Sequence, residues 1–296
     1  MTEGIILLDK PPGQTSFQSL GFLKKALGTT RVGHAGTLDK FAEGLLVVLA
    51  GRMTRLCPLA TSLDKEYLAV FQFGRGTDTL DPEGTVTGEG PVPARVEIEK
   101  ALRAFRGEIS QVPPEYSAIH VDGRRASEAA RSGQEVRLKP RPVVVHRLDL
   151  QDYRPPEAAF RIACSKGTYV RSLARDIAAA LGTCAHVTRL RRIRIGGFAV
   201  EQAHTPATFR AEEHVLPPAA FFSAAPALGR LAVREQWAGA VSRGIRLGEE
   251  LFERPPADGI FGVFTGDERL VAVIERSGGR LRYLATFPET PAAAAR

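Results

Sequence analysis

Short, dense apolar runs cut by glycine and proline constrain this chain more than any other feature. Ile5–Leu8 is stopped by Lys10-Pro11-Pro12-Gly13, and Leu45–Ala50, Tyr67–Phe73, Val143–Leu150 and Phe160–Cys164 repeat the pattern. Runs this short and this apolar read as buried strands. Leu190–Phe198 adds a strand that pairs arginines with apolar positions. Helical spacing interrupts the series. Thr15 or Ser16 caps a segment with Phe17, Leu20, Leu23 and Leu27 turned inward, ending at Gly28. Arg95–Phe105 puts Ile98, Leu102 and Phe105 on one face, and Tyr169–Leu181 turns Val170, Leu173, Ile177 and Leu181 inward with Arg171 in its first turn. The expected class is α+β.

The length of 296 residues suits a main domain of roughly 200–230 residues and a small appended one. A Pro/Ala-rich connection leads, near residue 230, into a tail with short strands at Ile260–Thr265, Leu270–Glu275 and Leu281–Ala285. The expected division is 1–228, 229–287 and a disordered 288–296. Residues 120–142 stand apart: His120, Arg124, Arg125, Arg131, Arg137, Lys139 and Arg141 crowd together with few large apolar side chains. Such a stretch buries little surface and reads as an exposed insertion.

A formal charge of +7 favours a polyanionic partner, nucleic acid first, although a merely basic surface has the same balance. Cys57, Cys164 and Cys184 have no CxxC spacing, which argues against a disulfide framework and a structural zinc site. Asp78, Asp81 and Glu83 in the turn-rich stretch Gly74–Gly84 fail the EF-hand spacing, so no metal is expected there. The Ile5–Leu8 run is too short for a signal core, and no apolar stretch approaches the roughly 20 residues of a membrane helix. The expected location is cytoplasmic, away from membranes.

Gly33-His34-Ala35-Gly36-Thr37-Leu38-Asp39 ends in one carboxylate on a small-residue loop that a bulky ligand can approach. Alone, such an Asp is a turn or cap residue. Its company changes the reading. Asp9-Lys10-Pro11, the Asp39 loop, Lys65-Glu66-Tyr67, Gly76-Thr77-Asp78-Thr79, Gln111-Val112-Pro113-Pro114-Glu115-Tyr116-Ser117-Ala118, Cys164-Ser165-Lys166-Gly167-Thr168-Tyr169-Val170-Arg171 and Leu190-Arg191-Arg192 follow in order over about the first two hundred residues. Together they resemble the TruB family of tRNA pseudouridine synthases. The tail looks loosely like the small PUA-like RNA-binding domain that closes such chains. The chain departs from the family at Lys40-Phe41-Ala42-Glu43-Gly44, where Pro-x-Ala-Thr-Gly is common, and at His120 and Ser127.

The resemblance implies a central mixed, mostly antiparallel sheet with flanking helices, and isomerisation of a flipped-out T-loop uridine, position 55 of tRNA, to pseudouridine. The uridine must leave its stack to be reached. Asp39 is then the essential carboxylate, with Arg171 offsetting its desolvation and Tyr67 packing against the base. His34, Tyr169, Leu190, Lys10 and Lys166 are expected to hold the substrate, and Arg124, Arg125 and Arg141 in the 120–142 clamp to meet RNA phosphates. No cofactor or metal is expected. The expected partner is the tRNA T stem-loop, bound by a monomer that requires no protein partner. Three alternatives stay open: a non-catalytic RNA binder, the same chemistry on another RNA, and a glycoside hydrolase drawing a second carboxylate from Asp9, Asp78 or Asp81.

Overall fold

The computed structural model describes residues 3–117 and 138–288, with the backbone of 120–121 and 124–125. The strands, in chain order, are β1 Gly4–Lys10, β2 Val32–His34, β3 Glu43–Ala50, β4 Lys65–Phe73, β5 Arg75–Thr77, β6 Val86–Glu89, β7 Gly107–Gln111, β8 His120–Val121, β9 Arg124–Arg125, β10 Arg141–Arg154, β11 Glu157–Cys164, β12 Ala185–Ile195 and β13 Phe198–Ala199. Nine form one sheet along the path β1-β3-β12-β4-β11-β10-β7, with β2 on β3 and β13 on β12. Every pairing in it is antiparallel except β3 with β12, so the sheet is mixed and mostly antiparallel.

The β3–β12 contact positions the site. β1 runs along the whole of one edge of β3, from Gly4 opposite Ala50 to Lys10 opposite Gly44. The other edge is shared: β2 takes Val48 to Ala50, and β12 takes Glu43 and Gly44 through Arg191 and Arg192. The loop 35–42 leaves the sheet between these two pairings, and Asp39 is on that loop.

Strand alternation buries one row per face. On one side Phe71, Phe160 and Ile162 pack with Leu173 and Ile177 of the helix Val170–Ala180. The Phe71 and Phe160 rings lie 4.5 Å apart, and burying each contributes roughly 2–3 kcal/mol. Elsewhere Leu45, Val47 and Leu49 share a cluster with Phe198 and Phe221.

The C-terminal sheet is β14 Leu228–Ala232, β15 Gly259–Phe264, β16 Leu270–Ser277 and β17 Arg280–Thr286, in that order. Phe264, Leu270, Val273 and Phe287 join the same cluster as Ile5 and Phe221, so this sheet shares a core with the large one. The parallel β14–β15 pair and the helix Glu235–Ser242 are additions to the three strands expected there.

One expectation is overturned. Phe17 points outward, 71% exposed, while Leu20, Leu23 and Leu27 are buried as expected. The segment is two short helices, Ser16–Ser19 and Gly21–Ala26, the first started by a Thr15–Gln18 capping box. In that single first turn the buried positions go to Ser16 and Ser19, and Phe17 falls on the opposite side. In the insertion, β8 and β9 pair antiparallel. The side chains of His120, Arg124 and Arg125, and residues 126–137 with Ser127, Arg131 and Arg137, lie outside the described residues, as does 289–296 of the tail. Pro288, placed in the tail, accepts a hydrogen bond from Arg52.

Candidate active site

The Asp39 loop is shaped by two glycines and clamped by two side chains. Gly36 has φ +104° and Gly44 φ +102°, backbone that other residues adopt only under strain. A Cβ at Gly44 would stand 2.4 Å from the Arg192 carbonyl oxygen, so glycine is what lets β3 approach β12. Between them, Ser16 Oγ accepts from Leu38 N–H (2.8 Å) and donates to the Leu38 carbonyl (3.1 Å), while itself buried. Arg192, fully buried, donates to the carbonyls of Leu45 (Nε, 2.7 Å), Gly36 (Nη2, 3.1 Å) and Thr37 (Nη1, 3.4 Å). It therefore ties both ends of the loop together, and burial pushes its pKa down.

Asp39 faces Arg171, which the first turn of the helix Val170–Ala180 delivers after the Gly167 turn, Gly167 itself at φ +82°. Arg171 Nη2 donates to Asp39 Oδ1 (3.0 Å), and Nε stands 2.9 Å from Oδ2. The same guanidinium donates through Nη1 to the Thr79 carbonyl (2.7 Å) and Asp81 Oδ2 (3.2 Å), and through Nη2 to the Tyr116 carbonyl (2.9 Å). Asp81 is held in turn by Thr79 Oγ1 and the Glu83 N–H. Burial raises the Asp39 pKa above the ordinary carboxylate value; the Arg171 charge opposes this and the Asp81 charge adds to it.

The cleft above Asp39 has a volume of about 570 Å³, and Tyr67, Tyr169, Arg171, Leu190 and Arg192 line it with Asp39. Tyr67 is opposite Arg192 in the β4–β12 register. Its hydroxyl is pushed up to about 12 by burial, with Arg192 opposing the shift, so it is a phenol at neutral pH. Gln111 pins the Tyr169 backbone from both sides, accepting from its N–H (2.8 Å) and donating to its carbonyl (3.2 Å). The Arg141 guanidinium lies 6.0 Å from the Tyr169 ring centroid.

Asp39, Tyr67, Arg171, Tyr169 and Leu190 thus converge on one cleft. The other expected substrate residues do not line it. Lys10 is fully buried and donates to the carbonyls of Pro11 (2.9 Å) and Gln14 (2.7 Å), so it holds its own turn; burial lowers its pKa to about 8. Lys166 is exposed, and His34 has its Nδ1 buried without a partner on β2. Sequence reading missed Arg192, Ser16, Lys65 and the pairing of Asp81 with Arg171. Lys65 is a buried cleft residue whose Nζ donates to the Thr61 and Leu63 carbonyls, its pKa lowered by burial to about 8. The departures beside Asp39 are built into the rim: Lys40 pairs with Glu83 (3.0 Å), Glu43 with Arg191 (3.4 Å), and Phe41 packs on the core. Among the described residues no cluster of three or more His, Cys, Asp or Glu is placed to hold a metal, and no helix is long and apolar enough to cross a membrane.

Comparison with known proteins finds two matching family models and relatives over nearly the whole chain. The family model described as TruB family pseudouridylate synthase (N terminal domain) matches residues 24–170, and that of the tRNA pseudouridylate synthase B C-terminal domain matches 171–216. The tRNA pseudouridine synthase B of Thermobifida fusca is 39% identical over 97% of this chain and 99% of its own. That of Caulobacter vibrioides is 39% identical over 97% and 96%. Among solved structures, a Cbf5-Nop10-Gar1 complex aligns with a TM-score of 0.72 at 25% identity, covering 97% of this chain and 84% of that one. An H/ACA RNP bound to a substrate RNA containing 2'-deoxyuridine aligns at 0.70 and 24% identity over 97% and 84%, a likeness of fold.

Proposed function

Since this chain belongs to the TruB family and is a tRNA pseudouridine synthase, an isomerase, we propose that Asp39 is its essential carboxylate and the T-loop uridine at position 55 of tRNA its target. The observation that carries this reading is the pairing of Asp39 with the buried Arg171 at the cleft.

The reaction breaks N1–C1′, turns the base and joins C5 to C1′; the C5 hydrogen leaves as a proton and N1 takes one up, so product and substrate are isomers. It calls for no redox partner. Asp39 can serve by attacking C1′, by attacking C6, or as the base toward a glycal-like intermediate. All three need it ionised and aimed into a site that excludes water, and Arg171 supplies the charge and the direction. About a third of the Asp39 side chain stays accessible, leaving room for a sugar or base to approach. Tyr67, uncharged, packs against the flipped base with Leu190 and Tyr169 around it. We further read 1–228 as the synthase domain, 229–287 as an RNA-binding unit, and Arg124, Arg125 and Arg141 as phosphate contacts of the 120–142 clamp. Lys166 and His34 serve RNA outside the cleft. The enzyme on this reading is a cytoplasmic monomer.

A glycoside hydrolase is disfavoured by where the second carboxylates go. Asp81 is paired with Arg171, Asp9 with Arg191 (2.8 Å), and Asp78 accepts from the Thr79 and Thr85 N–H groups (2.8 and 2.9 Å). Each is already engaged by its own partners, and none stands as a second free carboxylate across a bond from Asp39.

The test is tritium release from 5-[³H]-uridine in a T-arm stem-loop by wild type and Asp39→Asn. Release by wild type and none by the variant is expected. Equal release by both would remove Asp39 from the mechanism, and no release by either, with tight salt-sensitive binding, would leave an RNA-binding role or another RNA target.

A further inference from the structure

Between Asp9 and Asp39 the chain has Lys10, Lys24, Lys25 and Arg31 and no acidic residue, although Asp and Glu number 33 overall. The fold places part of this stretch on a face beside the cleft. Leu20, Leu23 and Leu27 are spent inward, in a cluster with Ile6, Leu8 and Val48. Outward stands Phe17, more exposed than any other large hydrophobic among the described residues. Lys24 Nζ lies 4.9 Å from the Phe17 ring centroid, and neither Lys24 nor Lys25 has a carboxylate partner among the described residues. The face adjoins the site: Thr15 lines the cleft, and Ser16, next to Phe17, is bonded to Leu38.

A ring with a lysine over one face and a second lysine beside it, neither ion-paired to a carboxylate among the described residues, suits a partner that offers flat π-surfaces and negative charge. Single-stranded or looped RNA has both, and aromatic stacking with backbone cations is how such RNA is held. An apolar protein surface would leave Lys24 and Lys25 desolvated without a counter-charge. We propose that Phe17, Lys24 and Lys25 form an RNA contact outside the cleft. Phe17 stacks on a base or ribose of the substrate strand next to the extruded nucleotide, and the two lysines take its phosphates. This rests on the reading of the substrate as tRNA, and it adds a positioning surface that none of the expected site residues includes.

The test uses the full-length protein with a T-arm stem-loop, measuring Kd by anisotropy over a salt series and kcat and KM by tritium release. The variants are Phe17→Ala, Phe17→Trp and the pair Lys24→Ala with Lys25→Ala. Phe17→Ala is expected to raise Kd and KM roughly five-fold or more with kcat unchanged, and Phe17→Trp to restore binding. The double lysine variant is expected to flatten the slope of log K against log salt by about 0.7 per lost phosphate contact. Kd, KM and slope all equal to wild type would overturn the proposal. So would a loss confined to kcat, since that would mean Phe17 acts only through Ser16 on the Asp39 loop. Wild type that binds but releases no tritium would instead count against the function proposed above, and the binding series would still decide this one.

Discussion

Asp39 and Asp81 share one guanidinium: Arg171 Nη2 lies 3.0 Å from Asp39 Oδ1, and Nη1 lies 3.2 Å from Asp81 Oδ2. One buried cation thus answers two carboxylates, one open to the cleft and one nearly closed to solvent. The second carboxylate keeps part of the Arg171 charge for itself and repels the first.

This arrangement sets a pH dependence. Burial and the Asp81 charge raise the Asp39 pKa, so the ionised form needed for reaction is lost as pH falls through a value above 3.8. The acid limb of kcat/KM is expected above that ordinary value. Asp81→Asn removes a like charge, so its acid limb is expected lower than that of wild type. A limb that moves upward would mean that Asp81 acts mainly by holding Arg171 in place. Pre-steady-state pH profiles of both proteins decide it.

Removing the cation has the opposite sign. Arg171→Met leaves two neighbouring carboxylates with no shared partner, so the acid limb is expected to rise and stability to fall by about 3–5 kcal/mol. Arg171→Lys keeps the charge but loses the fork that reaches Asp39, Asp81 and two carbonyls together. It is expected to retain more stability than the Met variant yet lose most of kcat. Urea titrations beside single-turnover rates separate the two effects.

Ser16→Ala deletes both hydrogen bonds to the Leu38 backbone and leaves that N–H and carbonyl buried. The expected cost is about 1–3 kcal/mol. Because Leu38 is next to Asp39, kcat is expected to fall while RNA affinity holds. Equal losses in kcat and affinity would indicate a wider disruption than the loop.

Gly44→Ala tests the strand junction. The new Cβ meets the Arg192 carbonyl at 2.4 Å, at a φ of +102°. Backbone atoms on both sides cannot turn aside as a side chain could, so a loss of several kcal/mol is expected, with strain alone contributing about 1–3 kcal/mol. A denaturation midpoint like that of wild type would show that β3 and β12 can separate here without cost.

Local pattern made much of this molecule legible. The β1, β3, β4, β10 and β11 strands follow from short apolar runs, and the helix carrying Arg171 follows from its 3.6 spacing and the Gly182 stop. Phe17 was misread because helical spacing was carried through Leu20, where the helix breaks. Arg192 went unnoticed for a different reason. Nothing in Leu190-Arg191-Arg192-Ile193-Arg194 distinguishes the arginine that is buried from its neighbours that are not.

By itself, then, the sequence determined the main strands and the α+β class, because apolar periodicity acts over a few residues, while Asp39 and Arg171 came together as candidate partners only through the resemblance to the TruB family. Only the tertiary structure decided that Asp81 joins that pair, that Lys10 is spent on the Pro11 and Gln14 carbonyls, and that Arg192 binds the loop carrying Asp39. The last of these depends on the one parallel pairing of the large sheet, β3 with β12, which brings Gly44 against Arg192 from far along the chain. A buried guanidinium takes whichever carbonyls and carboxylates the packed chain leaves within reach, and that geometry exists only once distant strands have met.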